Sequence, residues 1–387
     1  MIEAAPRTSF DLSDDQRAIA GLAAEIAQRE IAPHVAAWDR EHRFPRDLYA
    51  KLTDAGLMGL TIPEAYGGAG ADTMSYVLAI EELARVDAGT AVTLSVHAMI
   101  AGAIAHLGSE EQKQRYLPRL AGGNAIAAFA LTEPDAGSDA AALRATATRD
   151  GDGWVLRGRK QWCTNGSYAA VTMAMFRTGG PGPKGVTAFL VDGEAQGVVV
   201  EKVTEKLGIH TSNTCDLAFE DVRVPAAAML GKEGEGLSGA LGTLSGGRIG
   251  IAAQAVGILA ACLDASVKFA KEREAFGKPI GAFEGVSFKI AQMATDLDAA
   301  RLLTYRAAAL RDAGRPFALE ASKAKLFAST AARRHAAEAV QIHGGYGYTT
   351  EFPVERYYRD AKITEIYEGT SEVQQIVIAR SLLGRLD

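Results

Sequence analysis

The run Ile366-Tyr367-Glu368-Gly369-Thr370-Ser371 sets a carboxylate beside glycine, the residue that tolerates any backbone angle. Ser371 and Gln374 have the spacing of a helix-capping box and no proline follows, so a helix is expected to start there. A carboxylate on a tight turn, with bare helix N–H groups behind it, suits proton transfer close to an anionic cofactor. The same pair in isolation also reads as a solvated loop glutamate, the common fate of that residue type. Two other segments carry groups able to hold a ligand. Phe129-Ala130-Leu131-Thr132 runs into a turn holding Gly137 and Ser138, where hydroxyls and free N–H groups could meet a polar ring edge or a pyrophosphate. Trp162-Cys163-Thr164 offers a flat aromatic face and a hydroxyl at a strand end, although tryptophan is more often simply core. Gly234-Glu235-Gly236-Leu237-Ser238-Gly239 matches a dinucleotide fingerprint, but it follows Pro225 and opens a long helical stretch. Lacking the β-α-β context that gives the pattern meaning, it reads as a domain junction.

The elements that must position these groups fall into three blocks. Residues 1–125 read as helix: Ser13 and Gln16 form a capping-box pair, and Ile19, Leu22 and Ile26 follow at helical spacing. Pro33, Pro45 and Pro63 interrupt the helices that follow. Residues 126–232 contain short runs rich in β-branched and aromatic residues at 154–160, 170–176, 185–192, 198–203 and 216–224, separated by glycine and proline clusters. They predict a central antiparallel β domain. Residues 233–387 return to helix, free of proline from 226 to 278, and suggest a four-helix bundle that could also pack against other subunits. The chain is thus an α+β multidomain protein in the order α, β, α.

Composition narrows the function. Of 387 residues, 48% are hydrophobic and 23% charged, and the net charge of −6 gives no general attraction to nucleic acid or anionic membrane. Cys163, Cys215 and Cys262 are scattered and odd in number, which suggests free thiols in a reducing compartment; the seven histidines show no metal-ligand spacing. No secretion signal is visible at Met1-Ile2-Glu3, and the apolar stretches 91–108 and 250–267 carry polar residues that favour buried helices over membrane spans. A cytoplasmic protein without integral membrane association is the expectation.

Taken together, Thr132-Glu133-Pro134 with Ala136-Gly137-Ser138-Asp139, Trp162 with Thr164-Asn165-Gly166, Arg273 with Phe276-Gly277, Gln341 with Gly344-Gly345 and Gly347, and the Glu368 run occur in an order and at intervals that closely resemble the acyl-CoA dehydrogenase flavoproteins. Gly247-Arg248-Ile249-Gly250 and Phe219–Pro225 add to the likeness, which extends from residue 12 to residue 383. The resemblance implies FAD held between the β domain and the C-terminal helices. Phe129, Ala130, Leu131, Thr132, Gly137 and Ser138 would line the flavin and its phosphates, and Trp162, Cys163 and Thr164 would cover its other side. Arg273, Phe276, Glu284, Gln341, Gly344 and Gly345 would bind the adenine-side half of FAD from a neighbouring subunit, with Thr370 and Glu372 where a helix start meets the cofactor. Ser138, Ser245, Arg248 and Gly369 would line the acyl-CoA site, and Glu368 would be the base that takes the α-proton. Some relatives carry that base one residue before the helix arginine; here that position is Gly247, which leaves Glu368.

The implied partners are an acyl-CoA substrate, an electron-transfer flavoprotein and further copies of the chain, as a homotetramer. Other readings on the same scaffold are an acyl-CoA oxidase or flavin monooxygenase, and a non-catalytic flavin-binding assembly factor. Three positions depart from the family pattern: Glu284 replaces a glutamine near the FAD phosphates, Ser245 an aspartate and His210 an arginine.

Overall fold

The computed structural model describes residues 11–384, apart from the side chains of residues 240 and 241; Met1-Ile2-Glu3 lies outside the described residues. Six helices come first: α1 (Asp14–Ile26), α2 (Val35–Arg40), α3 (Arg46–Asp54), α4 (Thr73–Val86), α5 (Ala88–Leu107) and α6 (Glu110–Gly122). The expected capping box at Ser13 and Gln16 is present, and a second one at Ser109 and Gln112 starts α6. Asp87 breaks the helical run between α4 and α5, because its carboxylate caps the new helix by accepting from the N–H groups of Gly89 and Thr90.

The middle of the chain forms one sheet from β1 (Ile126–Ala130), β2 (Thr146–Asp150), β3 (Gly153–Thr164), β4 (Ala169–Arg177), β5 (Val186–Asp192), β6 (Val198–Val203), β7 (Thr214–Pro225) and β8 (Met229–Leu230). The order is β6-β7-β3-β2-β4-β5-β8, mostly antiparallel as expected, but β1 lies parallel to β4. Residue periodicity reports that a strand exists and which face it buries; the direction of pairing is set by how the chain re-enters the sheet. Here β1 arrives from the helical domain and packs its Ala127 beneath α5, while the segment after it crosses the sheet end to begin β2.

The third block is α7 (Gly236–Glu272), a short hairpin of β9 (Glu274–Ala275) and β10 (Lys278–Pro279), then α8 (Glu284–Asp312), α9 (Ala318–His343), α10 (Val354–Ile363) and α11 (Ser371–Leu383). α7 is the axle of the molecule. It packs against α8 and α9 on one side and α4 and α5 on the other, so one core is shared by all three blocks. Both α5 and α7 are long and apolar enough to cross a membrane, yet 83% of each apolar stretch is buried inside the fold. Gly236 opens α7 against β5, where a Cβ would fall 2.5 Å from the Ala188 nitrogen; this glycine serves close packing of helix on sheet.

Candidate active site

The turn between α10 and α11 presents Glu368. Both Glu368 (φ 54°) and Gly369 (φ 91°) lie in the left-handed region, which is costly for glutamate and persists only when its surroundings impose it. Those surroundings are specific. Gln374 Nε2 donates to the carbonyls of Glu368 (3.3 Å) and Gly369 (2.8 Å), and Lys325 Nζ donates to the Gly369 carbonyl (2.7 Å). The Tyr367 hydroxyl donates to Gln254 Oε1 on α7, and Gln254 Nε2 donates to the Ala88 carbonyl at the start of α5 (2.7 Å). The helix cap differs from the sequence expectation. Thr370, not Ser371, is the N-cap, its hydroxyl accepting from the Val373 N–H, while Gln374 is withdrawn from capping to hold the turn that carries Glu368.

The turn aims the carboxylate at α7. A Cβ on Gly247 would lie 2.7 Å from Glu368 Oε2 and 2.8 Å from the Met99 sulfur, so only glycine leaves the carboxylate room. The residue as a whole is half-buried, but Oε2 is sealed from solvent and has no hydrogen-bond partner. Burial pushes the Glu368 carboxyl up to about 7, against the opposing pull of the Arg248 and Lys325 cations. Arg248 is 5% exposed; its Nη1 donates to Ser322 Oγ (3.3 Å) and its Nε has no partner. Tyr76 and Ser95, joined by a 2.9 Å hydrogen bond, fill the space over Gly250, one turn along α7 from Gly247. Beyond Tyr76 and Met99 a cavity of about 750 Å³ opens between α5, α7 and the end of α8, past Gly102, Gly246 and Arg311. A carboxylate near neutrality with one sealed, unpartnered oxygen, beside a space kept clear by glycine, can act as a proton acceptor.

A second group of residues meets at the end of the sheet. The pairing of β3 with β7 slips between Lys160 and Cys163, and in this bulge Trp162 takes φ 56° and turns outward, 60% exposed. The Gln161 N–H donates to the Thr132 carbonyl (2.8 Å), which brings the segment just after β1 beside the bulge. Phe129, Leu131, Thr132 and Thr164 are half-buried there, while Gly137 and Ser138 lie exposed on the following turn. Ala130 and Cys163 point into the sheet core, so that only their backbone could meet a ligand. An exposed indole in a strained backbone, flanked by threonine hydroxyls, fits a flat ring with polar edges.

The remaining predicted residues are dispersed over the C-terminal block, with His210 outside it. Arg273 stacks over Tyr346 (5.6 Å) in the turn that contains Gly344 and Gly345, and Gln341 is exposed on the last turn of α9 beside it. Phe276 is 95% exposed on the adjacent hairpin, and Glu284 is exposed in the first turn of α8, where a carboxylate suits the helix N-terminus. Glu372 is exposed in the first turn of α11, near Thr370, and Ser245 is buried on α7. His210 stands apart, in a clasp of all three blocks: Nε2 faces the Lys206 carbonyl (2.8 Å), Nδ1 faces Asp39 (3.1 Å), and Asp39 also pairs with Arg359 of α10 (2.6 Å). Both ring nitrogens therefore meet acceptors, and the Asp39 contact raises the His210 pKa.

Sequence reasoning missed Lys325, Gln254, Gln374 and Tyr76 as parts of the site. Lys325 had left a signal: it falls at the spacing of Ala321, Ala328 and Ala332, the buried stripe of α9. The middle of the chain, residues 128–222, matches the acyl-CoA dehydrogenase middle domain, between matches to the N-terminal domain at 13–124 and the C-terminal domain at 234–383. A mitochondrial short-chain specific acyl-CoA dehydrogenase of Mus musculus is 46% identical over 97% of this chain and 92% of its own length. The structure of butyryl-CoA dehydrogenase from Megasphaera elsdenii superposes with a TM-score of 0.96 at 44% identity, covering 97% of this chain and 100% of the other. A chain solved in work on the electron transferring flavoprotein of Acidaminococcus fermentans and flavin-based electron bifurcation also gives a TM-score of 0.96, at 47% identity over 98% of this chain and 100% of its own. With all three domain types matched in order along one chain, this protein belongs to the acyl-CoA dehydrogenase family.

Proposed function

We propose that the chain oxidises a short acyl-CoA thioester to its trans-2-enoyl-CoA and passes the electrons to an electron-transfer flavoprotein. One observation carries the reading: the sealed, unpartnered Oε2 of Glu368, facing the space that Gly247 leaves open. A thioester α-proton is weakly acidic, and a base poised near working pH within hydrogen-bond reach is what its removal requires. FAD, when bound, accepts the β-hydride, which no amino-acid side chain can do. Trp162, Thr132 and Thr164 would hold its ring system, and Ser138 its phosphates. Arg273, Phe276, Gln341, Gly344 and Gly345 would serve the adenine-side half of a cofactor shared with a neighbouring subunit, with Thr370 and Glu372 at the helix start beside it. On the substrate side, Ser138, Ser245, Arg248 and Gly369 would line the thioester and pantetheine path, and the Glu368 N–H would donate to the thioester oxygen as negative charge develops there. Glu284, exposed in the first turn of α8, has room to turn its carboxylate away from a phosphate.

A short chain is favoured by the Tyr76–Ser95 pair, which occupies the space over Gly250, and by the likeness to a short-chain specific acyl-CoA dehydrogenase and a butyryl-CoA dehydrogenase. A homotetramer is favoured by large apolar side chains exposed on the C-terminal block, among them Phe276 (95%), Phe288 (66%) and Leu382 (65%). The test is anaerobic titration of the flavin-loaded protein with a panel of acyl-CoAs. Short chains are expected to bleach the flavin fastest, and Glu368→Gln is expected to keep its flavin while slowing bleaching by at least about 100-fold. Undiminished bleaching by that variant would remove Glu368 as the base, and rapid oxygen consumption by the substrate-reduced protein would favour an oxidase.

A further inference from the structure

Lys325 is fully buried in the middle of α9. A lysine taken out of water is costly unless its charge is used. Among the described residues it makes no ion pair within bonding distance, and its donor partner is a backbone carbonyl: that of Gly369, the residue after the base. The same carbonyl accepts from Gln374, so two donors from two helices grip one peptide oxygen of the left-handed turn. The charged groups facing Lys325 are Glu368, Arg248 from α7, Glu365 from the segment after α10, and Glu372 from the first turn of α11. Glu365 is already engaged by Arg333 (2.9 Å) and Lys362 (2.7 Å), and Glu372 is exposed. The sealed carboxylate of Glu368 is therefore the anion left for the ammonium to serve.

We propose that Lys325 is a positioning residue for the base: it pins the Gly369 carbonyl, fixes the turn that aims Glu368 at Gly247, and supplies buried positive charge that favours the ionised carboxylate. This rests on the reading of Glu368 as the base. Burial itself lowers the Lys325 pKa to about 8, which leaves the ammonium protonated at neutral pH, where it is needed. A purely structural lysine would hold the turn without tuning the carboxylate, and the two roles come apart in the choice of substitution. Lys325→Gln keeps a donor without the charge, Lys325→Met removes both, and Lys325→Arg keeps the charge.

The measurement is an infrared titration of the flavin-loaded protein, following the protonated-carboxyl band identified by its loss in Glu368→Gln, alongside the pH profile of flavin reduction. Lys325→Gln and Lys325→Met are expected to move the Glu368 midpoint upward by about one unit or more. At pH 7 the ionised fraction, and the reduction rate with it, would then fall about fivefold. Lys325→Arg is expected to restore the midpoint. Midpoints in Lys325→Gln that coincide with the parent's, or an equal upward shift in Lys325→Arg, would overturn the proposal; if Lys325→Met does not load flavin, these two variants decide it. The infrared midpoint is read without turnover, so failure of the base assignment, seen as undiminished turnover in Glu368→Gln, stays distinct from failure of the lysine's role.

Discussion

Replacing Glu368 by glutamine should stabilise the protein, and only at neutral to alkaline pH. The folded carboxyl titrates at about 7 against an ordinary 4.5, because burial disfavours its charge. The folded state therefore holds its proton longer than the unfolded chain, and stability falls as pH rises from 4.5 through 7. A shift of that size corresponds to an upper bound of about 3 kcal/mol, fully expressed above pH 7 and absent below 4.5. Glutamine has no charge to desolvate, so the variant escapes that loss, less whatever its buried amide fails to hydrogen-bond. For a chain of this length about 3 kcal/mol is roughly 4 °C in melting temperature. Asp360, buried and also pushed up to about 7, titrates in both proteins and cancels in the difference. Melting curves of the flavin-loaded parent and variant from pH 5 to 9 should coincide at the acid end and separate progressively, with the variant higher. Curves that stay parallel across the range would mean that Glu368 is solvated and ionised throughout, and the argument for a poised base would fall with them.

Other substitutions test the site from its neighbours. Gly247→Ala puts a methyl 2.7 Å from Glu368 Oε2, and stopped-flow flavin reduction should slow by about 10- to 100-fold with flavin content unchanged; an unchanged rate would mean the carboxylate points elsewhere. Trp162→Ala removes the exposed ring from the β3 bulge, and equilibrium dialysis should show FAD held more weakly by about 1.5–3 kcal/mol, while equal retention would remove Trp162 from the cofactor site. His210→Ala opens the clasp between Asp39 and Lys206. Because the folded His210 pKa is raised, the clasp's charge-dependent stability is complete below pH 6.5 and is lost as pH rises through the folded value. Denaturation at pH 6 should show a loss of about 1–3 kcal/mol that shrinks by pH 9, and equal losses at both pH values would refute a charged clasp.

Much of this site was written in local chemistry. The α, β, α order followed from the switch of hydrophobic period and the placement of proline, and the Ser13 cap from its spacing to Gln16 three residues on. The capping pair expected at Ser371 and Gln374 does not form, because spacing alone cannot say what a side chain does once a third partner competes for it; Gln374 is taken by the turn at Glu368 and Gly369, and Thr370 caps instead. His210 looked like an unexplained departure because its carboxylate partner Asp39, and the Arg359 that pairs with Asp39, lie far from it along the chain.

The sequence by itself determined which residue types were available: a carboxylate beside a glycine, a glycine at the rival base position, a tryptophan flanked by a threonine. Tertiary structure decided what those types can do. Gly247 matters because α7 passes Glu368 closely enough that a Cβ would collide with it, and Trp162 faces outward because the register of β3 against β7 slips by a bulge. The Glu368 carboxyl lies near neutrality because burial acts on it against the pull of two cations from different helices, Arg248 and Lys325. Desolvation and Coulomb interaction depend on distance through space, and that distance is fixed only when α5, α7, α9 and the turn before α11 are packed together.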